Sequence, residues 1–544
     1  MFIALLLLFL ATWVTFQWGS ILTGLLELLT GEKDQQTSPE KTIFYGLALL
    51  AWITAMVHFF LPIDKRLQSG VLVVAIGQFA LFPEQWNVYK KWLLNWQTLG
   101  LILIGGIALI GRSGFGDIAD YHLQAVKWAE KFPTILGLGN FNRPLSNNNW
   151  WFNLQALFGF GIGNALSLYC LNTLVAIVTL KWVLSKLFNT QYLEKGIWAG
   201  LGLFTVFSFK TAFAGSISPD FPISLLVMIC ALEFLQLVQN HFSKTGLIQL
   251  GILICFAISI KLNAMPLFVL LLAALLFKFN TKIFGLLTLI GIIYVLPWFC
   301  GNVMVSGWLA YPISQVDVFN VDWKVPASVL DFERFSILQW GKIPGAPIAQ
   351  TAQLSLSEWL PKWFLQHDRI NQGVMLIVCL SVLMLVAQPS TYKQPNKWIV
   401  CLFGLVGLLF CLSNGPHIRY AFGYFWLLIG LAIGSSYKML FPKQMAYFIL
   451  SLALILSVFK SSSHQFGSHA WFKPDAYPKV QLTQLQMGLE SPFVTTQNSA
   501  CWDQFPCSYY MVQGCELRGS TYESGFKTNP EKFKSLFDPK VAQP

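Results

Sequence analysis

Charged residues in this chain are largely confined to the joins between long apolar runs, and that pattern leaves few folds open. The runs are about 16 to 25 residues long, enough for each to cross a bilayer as a helix. They lie at roughly 3–28, 43–61, 68–83, 93–111, 163–187, 195–213, 219–239, 246–260, 263–279, 282–300, 372–388, 397–412, 418–437 and 443–460, about fourteen in all. Three are weak, because 68–83 is short and the two runs flanking Lys261 could form one broken helix. Only 11% of the 544 residues are charged and 55% are hydrophobic, whereas soluble domains carry about a quarter charged residues. The expected class is therefore an all-α polytopic membrane protein. The 21 tryptophans suit many helix ends at two interfaces. No segment has the small-residue cleavage site of a signal peptide, so the first run reads as a span that stays.

The lysines sit in short joins, near Lys90 and Lys91, Lys186 and Lys195, Lys244, Lys278 and Lys282, Lys393 and Lys397, and Lys438 and Lys443. Strict alternation puts these on one side, which the positive-inside rule makes cytoplasmic. The net charge of +11 is therefore a membrane signal and not a nucleic-acid one. Asp64-Lys65-Arg66 departs from the rule, so the first three spans are less firmly oriented. The opposite, outward side receives 112–162, the turn Ser216 to Asp220, 301–371, the turn Asn414 to Arg419, and the tail 461–544. Seven of the ten cysteines lie in or beside spans, while Cys501, Cys507 and Cys515 fall in the tail. An oxidising compartment permits a bridge closing the short Cys501–Cys507 loop, with the role of Cys515 open.

The candidate chemistry collects on that outward side. Asp117, Asp120, Tyr121 and His122 follow directly on the run 93–111, ahead of an amphipathic stretch from Leu123 to Phe132 and a loop holding Arg143. Ionisable residues at a membrane edge are functional candidates, although each has a simpler reading. Lys210 and Lys261 fit snorkelling cations. Asp220, after Ser218-Pro219, fits a helix N-terminal acid, and His122 fits a packed residue better than a ligand. Trp359 and Trp363, in Glu358 to Phe364, fit interfacial anchors. Asp117 is the strongest functional candidate. A carboxylate there can take the proton of an attacking hydroxyl, while lysine and arginine hold a departing phosphate. Nothing resembles a nucleotide-binding loop.

An outward loop that opens on Asp117-x3-Tyr121 and continues into an amphipathic helix with Ala125 resembles the glycosyltransferases of the GT-C superfamily. The strings GDIADYHLQAVKW at 116–128, GLGNFNRPLSNNNWWF at 137–152, SPD at 218–220, SGWLAYPI at 306–313, RYAFGYF at 419–425, CWDQFPC at 501–507 and LRG at 517–519 resemble an uncharacterised family of bacterial multi-pass membrane proteins. The GT-C resemblance implies sugar transfer from a polyprenyl-phosphate-linked donor to a glycan, lipid or protein acceptor on the extracytoplasmic face of the bacterial inner membrane. It implies Asp117 as the base, with Asp120 positioning the acceptor or binding a cation. Lys261, Arg419 and Tyr420 become donor contacts, with Tyr121, His122, Arg143, Lys210 and Asp220 as further substrate contacts. It leaves a divalent cation open, since GT-C enzymes include both metal-dependent and metal-independent members. Two departures stand out: about three extra spans precede the loop, and Asp120 is not adjacent to Asp117. The implied layout is an accessory bundle at 1–92, a GT-C-like core at 93–300, a long outer loop at 301–371, terminal spans at 372–460 and a tail at 461–544. Two other classes compete. A polymerase or ligase of lipid-linked oligosaccharides would use Arg334, His367 and Arg369. A transporter should show internal repeats and polarity at mid-membrane, and the sequence shows neither.

Overall fold

The structure, a computed structural model, describes residues 1–32, 38–111, 117–160, 164–187, 189–190, 192–211, 213–239, 242–277, 280–387, 395–435, 451–458, 481–495, 501–502 and 504–534. Gly116, residues 436–450 and 459–460 in and before the last expected span, 461–480 of the tail, residue 496 and the final 535–544 lie outside the described residues.

The apolar runs fold as helices. In chain order these are α1 (Phe2–Thr30), α2 (Pro39–His58), α3 (Lys65–Leu81), α4 (Pro83–Leu93), α5 (Trp96–Ile110), α6 (Leu123–Lys131), α7 (Leu138–Phe141), α8 (Trp150–Leu157), α9 (Cys170–Lys186) and α10 (Tyr192–Lys210). They continue with α11 (Asp220–Gln239), α12 (Lys244–Ile260), α13 (Phe268–Phe277), α14 (Thr281–Ser306), α15 (Ala327–Lys342), α16 (Ile348–Ala352), α17 (Leu356–Gln366), α18 (Arg369–Ala387), α19 (Pro395–Asn414) and α20 (Ile418–Ser435). Among the described residues, eight helices are long and apolar enough to cross a membrane: α1, α2, α9 with its leading turn, α11, α14, α18, α19 and α20. The pair α3 and α4, bent by 104° where Pro83 opens the second helix, makes a ninth candidate. Three further apolar helices, α5, α12 and Leu262–Phe277, are shorter than a full span.

Glycine sets how closely these helices approach. A Cβ on Gly46 would lie 1.8 Å from the Thr15 carbonyl oxygen, and one on Gly19 would lie 1.8 Å from that of Thr42, so α1 and α2 touch backbone to backbone. Gly196 and Gly430 do the same for α10 and α20, since a Cβ on Gly196 would lie 2.2 Å from the Gly430 oxygen. Without a hydrophobic force between helices in lipid, such close contact supplies the packing energy. Gly46→Leu is expected to destabilise the fold by about 3 kcal/mol or more, because backbone cannot yield as a side chain does. Fluorescence-detected size exclusion should show loss of the monodisperse peak, and a wild-type profile would refute the backbone contact.

Several chain reversals meet at one end of the bundle. The chain turns at Lys261, an extended residue (φ −159°) that ends α12, and α13 then runs back so that Phe277 meets Phe234. Near the other end, Lys41 pairs with Glu233 at 2.7 Å and Lys244 with Glu32 at 3.6 Å.

The tail folds back over the first end. Its strands are β1 (Thr483–Gln484), β2 (Phe493–Val494), β3 (Cys507–Ser508), β4 (Cys515–Leu517) and β5 (Phe526–Thr528), in the orders β1-β2-β3 and β4-β5. Cys501 and Cys507 form a disulfide and Cys515 is a free thiol. Gln124 of α6 holds this loop, donating to the Gln504 carbonyl at 2.7 Å and accepting from the Cys507 amide at 3.0 Å. Trp128 packs edge-on against Phe505, Tyr522 and Phe526 to close a second apolar core. The amphipathic stretch expected after Asp117 thus lies between the two cores, with Leu123, Val126 and Ala129 in the main one and Trp128 in that of the tail.

Candidate functional site

Four separate segments bring charge to that capped end. Ile118–His122 is a π-helical turn, closed by the Leu123 amide bonding to the Ile118 carbonyl, and Asp117 precedes it. Turns of this kind concentrate at functional sites. Asp220 is the first residue of α11, where the helix dipole favours an acid. Lys261 stands at the reversal after α12, and Arg419 and Tyr420 open α20.

The side chains form one continuous ion-pair network. Arg419 Nη2 lies 2.6 Å from Asp117 Oδ2, and its Nε lies 3.3 Å from Asp220 Oδ2. The other oxygen of Asp220 pairs with Lys261. Both cations lie against the Tyr420 ring, Lys261 at 4.0 Å and Arg419 at 5.2 Å from its centroid. Arg419 also covers Trp340, which stacks on His417 at 4.8 Å. Two acids and two bases leave this cluster balanced in charge. Exposure separates the acids: Asp220 is 4% exposed and Asp117 29%. A ligand can reach Asp117, whereas Asp220 holds the two cations in place.

Burial pushes the Asp117 carboxyl up, but the charge and hydrogen bond of Arg419, with the charges of His122 and Lys261, together hold it below the usual carboxylate value. With Arg419 in contact, Asp117 is therefore a weak base. Burial lowers His122 to about 4, and it lowers His417 to about 3 with help from Arg419, so both rings are neutral at pH 7. The unfolded chain protonates these rings near pH 6.5 and the folded chain does not, so stability is lost as pH falls from about 6.5 toward 4. Each ring contributes up to about 1.4 kcal/mol per pH unit. Asp117, with its lowered value, keeps its contribution throughout that window and loses it only at lower pH. Denaturant or SDS midpoints are expected to fall between pH 7 and 5, with a shallower slope in His417→Gln. An unchanged slope in that variant would show that His417 is not held neutral.

The other expected site residues divide. Asp120 is buried and accepts the Tyr510 hydroxyl at 3.2 Å, so the tail reaches the second acid directly. Tyr121 packs edge-on to His122, which rests on Phe152. His122 is a packed ring, although its Nδ1 finds no hydrogen-bond partner among the described residues. Arg143 stands apart from Arg419, 3.7 Å from Glu333 and over the rings of Phe332 and Tyr510. Lys210 is exposed at the end of α10, and ending a run, as Lys261 also does, did not bring it to an acid among the described residues. Trp363 departs from the expected lipid anchor: it is 8% exposed, with its indole N–H donating to the Pro416 carbonyl beside His417. A capping box formed by Ser355 and Glu358 starts its helix, α17.

Asp117 and Asp220 are already matched by Arg419 and Lys261, and among the described residues no three His, Cys, Asp or Glu side chains are grouped to hold a metal. Trp340, His417, Glu333 and Tyr510 complete the neighbourhood. Tyr510 carries no local signal in the sequence, being one of two adjacent tyrosines in a polar tail.

A search of curated proteins finds no match. Residues 1–426 match a family model described as a domain of unknown function, DUF8201, a match that takes in the first helices and ends just after Arg419 and Tyr420. Covering well over half of the chain, that match makes it a member of the DUF8201 family.

Proposed function

We propose that this protein is an integral membrane glycosyltransferase that moves a sugar from a polyprenyl-phosphate-type donor to an acceptor hydroxyl on the extracytoplasmic side. The observation that carries the reading is the contact of Arg419 with Asp117, the more exposed acid of the network. A donor phosphate entering from the bilayer would compete with Asp117 for Arg419, since guanidinium groups bind phosphate in the same forked geometry. Loss of that contact raises the carboxylate's proton affinity, so donor binding would turn a weak base into a working one. Lys261, kept in place by Asp220, would meet the second phosphate oxygen and stabilise charge as the glycosidic bond breaks.

The lysine-bearing end opposite this site is then cytoplasmic and the tail extracytoplasmic, where the Cys501–Cys507 bridge is stable. The fourteen-span, GT-C-like layout with an inner-membrane location belongs to the same proposal. A second reading, the joining of whole lipid-linked oligosaccharides, draws on the long loop, which brings His367 within 6.3 Å of His417. Mass spectrometry of envelope glycans and lipid-linked intermediates in a deletion strain tests both. A glycan short by one sugar, with its donor accumulating, supports the first reading, and loss of whole repeat units supports the second. Unchanged glycans under expressing conditions would count against both and favour transport.

A further inference from the structure

The ground around Arg143 is chemically unlike the Arg419 network. Arg143 and Glu333 are 3.7 Å apart, beyond direct hydrogen-bond length, although each side chain is only 13% exposed. Arg143 Nη1, the Ser146 hydroxyl and the Tyr311 hydroxyl are all buried, and none completes a well-formed hydrogen bond among the described residues. Ser146 is fully buried and Tyr311 is 2% exposed. The Tyr311 hydroxyl meets the Ser146 hydroxyl in a contact short of good hydrogen-bond geometry, and it lies close enough to Glu333 and Arg143 to feel both charges. Buried polar atoms are nearly always paired, so three such atoms around a separated ion pair mark a place where a ligand's polar groups complete the bonding. The Tyr510 ring connects this ground to the candidate site, lying under Arg143 while its hydroxyl donates to Asp120.

Charge decides what kind of ligand fits. Arg143 and Glu333 are one cation and one carboxylate, so the ground is balanced in charge and offers no spare cation to a phosphate or an acidic sugar. A carboxylate that accepts, a guanidinium that donates and hydroxyls that do both suit vicinal hydroxyl groups.

We infer that Arg143, Glu333, Ser146 and Tyr311 form a binding site for a neutral saccharide, and that Tyr510 links it to Asp120. The inference rests on the transferase reading for its role as acceptor site, but the binding itself does not require turnover. Burial raises Glu333 above the usual glutamate value despite Arg143, in keeping with an ion pair that is not closed.

Saturation-transfer NMR on the full chain in nanodiscs would use methyl glycosides of glucose, galactose and N-acetylglucosamine, with glucuronate and galacturonate as matched acids. At least one neutral glycoside is expected to bind, and both uronates to bind at least about tenfold more weakly. Glu333→Gln and Tyr311→Phe are expected to weaken the neutral ligand by roughly 10- to 100-fold, the range for hydrogen bonds involving charged groups. Ser146→Ala, the smallest change, serves as a variant whose folding is least at risk. Preferred binding of uronates, no binding of any neutral glycoside, or full binding in all three folded variants would each overturn the inference. Donor turnover measured in parallel separates the two proposals. Binding without turnover overturns the transferase reading alone, and turnover whose acceptor KM is unmoved by these variants overturns this site alone.

Discussion

Asp117→Asn is expected to lower sugar transfer about 10²- to 10⁴-fold, the usual worth of a positioned general base, while the protein still inserts and folds. Asparagine keeps the size of the side chain and can still accept a hydrogen bond from Arg419, but it cannot take a proton. The geometry separates this acid from its neighbours. Asp220 is 4% exposed and engages both Lys261 and Arg419, so Asp220→Asn should reduce the amount of folded protein as well as its activity. Asp120 lies against Tyr510 of the tail, so Asp120→Asn should raise the acceptor KM more than it lowers kcat. Purified variants in liposomes, supplied with a polyprenyl-phosphate-linked sugar, give these rates directly. Full activity in folded Asp117→Asn would remove the base from the scheme. The pH profile adds a second reading. With donor bound and Arg419 drawn away, kcat should titrate at a higher pH than Asp117 does in the free protein.

How much of this was legible in the sequence follows from what each feature depends on. Helices were legible because an apolar run and a membrane-length helix express the same local pattern. Asp117, Asp220, Lys261 and Arg419 were legible for a related reason: each stands at or just beyond an end of an apolar run, and alternating spans bring such ends to one face. Their pairing was not legible. Arg419 meets Asp117 across about three hundred residues, and which face of α20 turns inward is decided by close backbone contacts such as Gly196 with Gly430. Lys210 shows the limit of positional reasoning, since it also ends a run and yet is exposed with no acidic partner among the described residues. The π-helical turn after Asp117 carries no residue signal, and Trp363 fits a lipid anchor in the sequence because a tryptophan on an amphipathic helix looks the same whether it faces lipid or protein. Tyr510 was beyond reach for a similar reason. Its role exists only because the tail folds over α6, a contact made by Gln124 and an aromatic cluster that has no periodicity to announce it.

Arg419→Gln is expected to be the most damaging single change in the network, and the reason is electrostatic more than steric. It leaves two carboxylates near each other with only Lys261 to answer them, and removing one partner from a buried pair costs about 3–5 kcal/mol. The cost should be concentrated at Asp220, because Asp117 is exposed enough for water to screen it. A double-mutant cycle separates these contributions. In an Asp117→Asn background, Arg419→Gln should cost less by about 0.5–3 kcal/mol, the range for directly contacting groups. In an Asp220→Asn background the relief should be larger, since there the neutral pair leaves no buried carboxylate facing an absent cation. SDS or urea titration in lipid–detergent micelles measures each corner. Equal coupling to both acids would mean that the network shares its charge evenly, and a phosphate could then displace neither acid selectively. Stronger coupling to Asp220 would leave Asp117 as the weaker-held partner of Arg419, the property a base must have if donor binding is to release it.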